Sequence, residues 1–446
     1  MICERIKKHH LNSFQQIILG FIGVILCGTL LLMLPVSTAS GESAPFGTAL
    51  FTATSAVCVT GLVVVDTATY WSLAGQIIIL CLIQIGGLGV ISVAAALALL
   101  SGHRFSLMQR STMQEALAAP SLGGIVRLTR FLLKGVILIE LLGAVALLPV
   151  FLPDFGARGI FLSLFHGVSA FCNAGFDLMG QTGALYPSFT GYRGNLLLNG
   201  VLMLLIITGG IGFLTWEDIV VHRWHFQRYR VQTKVVLVTT AALIFLPGIF
   251  FYFDGIAAGG TACERWLAAF FQSVTARTAG FNTVDLTEMS STSRMLLIIL
   301  MLIGGSPGST AGGIKTTTFA VLVANAFATF HRKDDVHFFS RRIDNLTVKN
   351  AATILVLYLS LLLVGALLIS LIDHITLGNS LYETASAIGT VGLMIGITPE
   401  LSGISHGILI LLMFFGRVGG LTLIYAALST TDPKVARLPM EKIMVG

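Results

Sequence analysis

A chain of 446 residues that is 55% hydrophobic and only 11% charged, with a mean hydropathy of +0.88, lies outside the range of soluble globular domains. Its net charge of +6 is gathered in a few loops, so it reads as a signal of membrane orientation and carries little weight for nucleic-acid binding. No paired carboxylates, nucleophile motif or cofactor fingerprint stands out, so no enzymatic chemistry is expected.

Crossing a hydrocarbon core of about 30 Å takes about 20 helical residues. Apolar runs of that order occur at roughly 15–36, 72–100, 132–153, 195–221, 233–253, 294–330, 350–372 and 407–428. The first follows a basic start, Met1 to Lys8, and could be read as a secretory signal cleaved near Ser37-Thr38-Ala39-Ser40. It is longer than a usual signal core, and its loss would strip the first unit of its first helix. It is therefore counted as a span. The eight runs pair, and between the members of each pair lies one recurring phrase: an aromatic, nine mostly small or apolar residues, then glycine.

The four copies run Phe51 to Gly61, Phe165 to Gly175, Phe270 to Gly280 and Tyr382 to Gly392, with glycines at intervals of 114, 105 and 112 residues. A fixed period points to one unit used repeatedly. The units are 1–131 with a loop at 44–62, 132–231 with 158–176, 232–346 with 263–281, and 347–446 with 376–393. The stretches just upstream of the phrases, 44–56, 158–170, 263–275 and 376–387, are long enough for a short helix whose C-terminal end would aim partial negative charge at a cation. The expected fold is all-α: four parallel helix–loop–helix units, eight membrane spans and four re-entrant loops, in pseudo-four-fold order around one pore.

Most of the 27 Lys and Arg lie at the start (Arg5, Lys7, Lys8), in 101–134, 222–234 and 331–349, and in the tail (Lys434, Arg437, Lys442). The stretches 36–70 and 373–406 have none. Both termini are thus expected in the cytoplasm, with all four loops entering from outside. The loop flanks carry Glu42, Asp66, Asp154, Asp177, Asp254, Asp285, Glu288, Asp373 and Glu400, which would concentrate cations at an outer mouth. The six cysteines and ten histidines show no metal spacing.

Non-helical backbone at membrane depth is tolerated where it lines water or is buried in protein. A dehydrated cation needs oxygens at fixed positions, and backbone carbonyls supply them without charge. Turning consecutive carbonyls to one axis requires some residues at φ > 0, which glycine adopts most easily. The expected filter residues are Val57, Cys58, Val59, Thr60 and Gly61; Phe171, Cys172, Asn173, Ala174 and Gly175; Ala276, Arg277, Thr278, Ala279 and Gly280; and Gly389, Thr390, Val391 and Gly392. Arg277 is expected to anchor the filter by hydrogen bonds to backbone, and the Cys58 and Cys172 side chains to face away from the axis.

On these motifs the whole chain resembles the potassium-translocating membrane subunits of the bacterial Ktr and Trk systems, related to fungal Trk and plant HKT transporters. Eight spans without an additional N-terminal pair are more similar to the Ktr type. The resemblance implies K⁺ bound at the filter carbonyls, with Na⁺ as a possible activator. It also implies a homodimer and a cytosolic ring of nucleotide-binding RCK subunits, so nucleotide would act only through that partner. A serine in place of Gly61 would imply a preference for sodium.

Each second helix carries a glycine pair: Gly86-Gly87, Gly209-Gly210, Gly304-Gly305 and Gly419-Gly420. Close packing through small residues accounts for most of these. The third opens the run Gly304, Gly305, Ser306, Pro307, Gly308, Ser309, Thr310, Ala311, Gly312, Gly313, which cannot remain a regular helix. The run 308–316 nearly matches a phosphate-binding loop but fails on spacing, since Ile314 precedes Lys315, and on its membrane-helix context. The resemblance makes 304–313 an intramembrane gate. Arg417, within the last span, is costly there and is expected to face the pore; Glu140 and Lys315 are weaker candidates. A secondary transporter coupling K⁺ to Na⁺ or H⁺ is the alternative. Inverted repeats would alternate the side from which loops enter, whereas here all four share one side.

Overall fold

The computed structural model describes residues 13–100, 107–116, 124–182, 186–223, 225–256, 260–420 and 422. The basic start, Arg104 and the tail after Asp432 lie outside the described residues. Four helices are long and apolar enough to cross a membrane: Ser13–Leu32, Ile125–Phe155, Val231–Asp254 and Asn345–Asp373. Their apolar windows are only 28 to 39% buried. Leu142, Leu246, Phe253 and Leu371 stand exposed, as residues facing hydrocarbon would.

Each long helix packs on a short helix that follows it: Phe46–Val57, Arg158–Phe171, Ala262–Thr275 and Leu377–Gly389. These match the short helices expected upstream of the glycines, ending three to five residues before each glycine of the phrase. Their starts are capped where the sequence permits. Thr261 accepts from the Glu264 backbone while Glu264 reaches back, a capping box worth about 1 kcal/mol. Thr376 caps the fourth through Asn379. The phrase aromatics Phe51, Phe165 and Tyr382 are wholly enclosed, but in the third unit the buried ring is Phe271. Phe270 turns outward against Phe245 and Trp266.

The second helices are Leu73–Leu88, Leu196–Gly210, Ser291–Leu302 and Gly403–Val418. Here the expectation of unbroken second spans fails. All four stop at non-helical glycine-containing backbone, not the third alone. Gly89, Gly212 and Gly419 sit at φ +83°, +90° and +91°, which an L side chain strains to adopt. The chain bends by 98° between 196–210 and Phe213–His222. In the third unit 303–315 is irregular before Thr316–Phe330 resumes. The second helix of each unit packs against the short helix of the next, and that of the fourth returns to the short helix of the first. One two-stranded hairpin, His337–Phe338 with Arg341–Arg342, departs from the all-α expectation.

Three of the flanking acids have a structural task. Asp154, Asp254 and Asp373 end the long helices of units two to four. They accept from Tyr192 Oη (2.6 Å), Ser290 Oγ (2.6 Å) and the Ser402 backbone (3.1 Å), tying each long helix to the start of its second helix.

Candidate ion pathway

At the end of each short helix the backbone turns through the left-handed region twice. The residues two before the glycine, Val59, Asn173, Thr278 and Thr390, have φ of 56°, 57°, 80° and 52°. The glycines Gly61, Gly175, Gly280 and Gly392 follow at 89°, 69°, 83° and 91°. Positive φ on valine and threonine costs of order 1–3 kcal/mol and persists only where the surroundings enforce it. A hydroxyl near each helix end does so. Ser55 and Ser386 accept from the Gly61 and Gly392 N–H at 3.1 and 3.0 Å. Ser169 and Thr275 donate to the Phe176 and Phe281 carbonyls at 2.7 and 2.6 Å.

The four glycines meet in a closed ring. A Cβ built on Gly61 would stand 2.5 Å from the Ala174 oxygen, and one on Gly175 2.8 Å from the Ala279 oxygen. Closer still, Gly280 faces the Val391 oxygen and Gly392 the Thr60 oxygen. Each glycine therefore abuts the carbonyl just before the next unit's glycine, in the order first, second, third, fourth, first. Above the ring lies a cavity of about 30 Å³ lined by all four glycines together with Asp66 and Asp177. Burial pushes the Asp177 carboxyl up to about 7, and the Asp66 carboxylate adds to the shift. Asp66 is also structural, capping 67–70 and accepting from the Tyr186 backbone at 3.2 Å.

Directly under the ring runs the irregular segment of the third unit. Ile303 and Ile314 pair as parallel backbone, with the Gly304 N–H donating to the Ile314 carbonyl at 2.8 Å. Ser306 and Thr310 donate from their backbone to Gly210 and Gly209, Phe213 donates to Gly308 at 2.7 Å, and Gly313 donates to Gly416. Asn173 Nδ2 donates to Thr310 Oγ1 at 2.8 Å, and that hydroxyl donates to the Phe171 carbonyl. A side chain on Gly304 would strike the Gly312 carbonyl and crowd Thr278, and one on Gly312 would strike Thr390. The segment is thus strapped across the second and fourth units. Its glycines are needed for approach to the loops above as much as for freedom.

Arg417 enters this region from the fourth unit. It donates to the carbonyls of Thr310, Gly86 and Gly87, linking the segment to the broken helix of the first unit. Lys315 turns back onto the Ala311 carbonyl at 2.8 Å. Arg277 departs from expectation: its side chain reaches Thr240 and the Gly304 carbonyl, each at 3.5 Å, and so touches the irregular segment instead of the backbone of the glycine phrases. Cys172 does face away from the ring, its Sγ beside Gln84 and Glu140, and Glu140 accepts from Gln84 at 3.1 Å.

The glycine pairs pack as expected in part. A Cβ on Gly86 or Gly209 would collide with the Val57 or Phe171 carbonyl at a short-helix end. In the fourth unit that place is taken by Gly416, against Ile388, and not by Gly419-Gly420. Gly416 faces the residue four before its ring glycine as Gly86 and Gly209 do, an equivalence that shows in the contacts and not in the sequence spacing.

Comparison with known proteins agrees with this geometry. A family model described as TrkH, a cation transport protein, matches residues 4–434. The chain is 40% identical to the potassium/sodium uptake protein NtpJ of Enterococcus hirae, covering 99% of each chain. It is 38% identical to the Ktr system potassium uptake protein B of Vibrio alginolyticus, over 96% of this chain and 94% of that one. The crystal structure of the potassium transporter TrkH from Vibrio parahaemolyticus superposes with a TM-score of 0.74 at 17% identity, over 95% of this chain and 86% of that chain, which is a likeness of fold. The chain belongs to the TrkH family of cation transport proteins, as a multi-pass membrane protein and not an enzyme.

Proposed function

We propose that this protein takes up potassium across the cell membrane through a channel-like pore, with the ring of glycine and carbonyl groups as its selectivity filter. The closed order of Gly61, Gly175, Gly280 and Gly392, each against its neighbour's carbonyl, carries the reading. Four equivalent carbonyls facing one axis can replace a cation's hydration shell without trapping it by charge. Potassium as the ion rests on the relatives, which are potassium/sodium and potassium uptake proteins. In this reading the four units supply eight membrane crossings around the pore, both termini are cytoplasmic, and Asp66 and Asp177 face the outside.

The strapped segment 304–313 is the gate. In the arrangement seen, Arg417 places a cation and three donated hydrogen bonds beneath the filter, which opposes passage of K⁺ and holds the strap in place. Opening requires breaking a discrete set of bonds, which suits control by a partner. That partner is an RCK-type cytosolic ring acting on a homodimer of this chain, with the basic loops 101–134 and 222–234 and the tail as its docking surfaces. Purified protein in liposomes tests the whole reading: radioactive rubidium should enter in preference to sodium, and Gly61→Ser or Gly392→Ser should erode that preference. Equal uptake of both ions by wild type would overturn it.

A further inference from the structure

Counting back nine residues from each ring glycine reaches Thr52, His166, Phe271 and Glu383, one per short helix and all fully buried. Two of the four are strong hydrogen-bond acceptors, and both accept from the same place. His166 Nε2 accepts from the Leu178 N–H at 3.1 Å, and Glu383 Oε1 from the Ile395 N–H at 3.2 Å. Leu178 and Ile395 each lie three residues beyond their ring glycine. The other Glu383 oxygen accepts from Thr398 Oγ1 at 2.5 Å. The His166 ring is held edge-on and tilted among Phe151, Phe165 and Phe189, at centroid distances of 5.1, 5.8 and 5.0 Å. Thr52 Oγ1 has no partner, and Phe271 has no acceptor to offer.

The ring order sets the second unit opposite the fourth. We propose that His166 and Glu383 are positioning residues that clamp the outer ends of two opposed filter segments, so that ion preference rests on a two-fold brace within a four-fold ring. This rests on the ring being the filter. In the second and fourth units the segment is pinned three times: at the helix end by backbone bonds from Ala174 to Ser169 and from Val391 to Ser386, at its middle by the serine hydroxyl, and at its exit by the brace. In the first and third units the side chain at the bracing place supplies no such bond. A carbonyl ring selects by holding oxygens at a set spacing, so the unit whose exit is tied resists collapse around a smaller ion. The neutral imidazole and the carboxylate solve the same problem with different chemistry, which is why the equivalence is invisible in the identities and plain in the bonds.

The test replaces the acceptor and keeps the volume. His166→Phe should reduce K⁺ preference over Na⁺ in liposome uptake by about fivefold, the shift expected from loss of one ordinary hydrogen bond, and Glu383→Leu, which loses two, by at least as much. Glu383→Gln, whose amide oxygen still accepts, should stay near wild type. Thr52→Val and Phe271→Leu should leave the preference unchanged. Amide exchange should rise at 176–180 in His166→Phe and at 393–397 in Glu383→Leu. If Glu383→Leu does not fold, His166→Phe decides, since the third unit already carries phenylalanine at that place. Unchanged preference in His166→Phe and Glu383→Leu, beside a lowered preference in Gly392→Ser, would overturn the brace. So would a Glu383→Gln protein as impaired as Glu383→Leu. If Gly392→Ser keeps its preference too, the filter reading itself fails.

Discussion

A serine series at the four ring glycines should produce a graded loss of ion preference, because the space around each glycine differs. At Gly392 an added Cβ would overlap the Thr60 oxygen and lie 3.0 Å from the Gly61 Cα, at φ +91°, so neither the backbone nor the neighbour can yield cheaply. Gly175 is the mildest case, at φ +69° and 2.8 Å from the Ala279 oxygen. Holding an L side chain at such φ costs of order 1–3 kcal/mol before any overlap is counted. If that cost is relieved by swinging one carbonyl off the axis, the discrimination lost is about 5- to 150-fold. The expected order of damage is Gly392 and Gly280 first, Gly61 next and Gly175 least. Competition between rubidium and sodium in liposomes reads the order, with Gly407→Ser as control, since nothing stands within 4 Å of a Cβ there. Equal effects at all four glycines, or none at Gly392, would refute the reasoning.

Arg417→Gln, or removal of part of 304–313, should raise flux in the absence of a soluble partner several-fold and leave ion preference intact, measured as rubidium entry into liposomes; unaltered flux in folded protein would reduce the segment to a packing feature. Thr310→Val should loosen the same strap more mildly, because it removes the hydroxyl shared by Asn173 and Phe171 while the backbone bond to Gly209 stays. Asp177, with its carboxyl near 7, loses negative charge as external pH falls from 8 to 6, so uptake at low external K⁺ should fall over that range and Asp177→Asn should be flat. Native complex extracted in mild detergent should carry a soluble nucleotide-binding subunit and migrate larger than a single membrane chain; a lone monomer would contradict the proposed control.

Much of this architecture was legible in one dimension. The period of the glycine phrase and the apolar runs on either side located four units, and the short helices fall where the stretches upstream of the glycines predict them. Positive φ at the glycines follows from residue type, since only glycine enters that region freely. The proline and glycines of 304–313 likewise announced a broken helix. Other features needed three dimensions, because they depend on what stands opposite a residue. Val59, Thr278 and Thr390 give no hint in their identity that they lie at positive φ; the hydroxyls at the short-helix ends and the neighbouring units impose it. The breaks at Gly89, Gly212 and Gly419 are not marked in the sequence; they follow by three residues the glycines on which the short-helix carbonyls press, Gly86, Gly209 and Gly416. Arg277 stands within a glycine phrase, yet its long side chain reaches past the glycine ring to Gly304. His166 and Glu383 share no chemistry that a sequence comparison of the units would align. Their common role appears only when the chain leaving each glycine folds back over the helix that led to it, bringing the two N–H groups into reach.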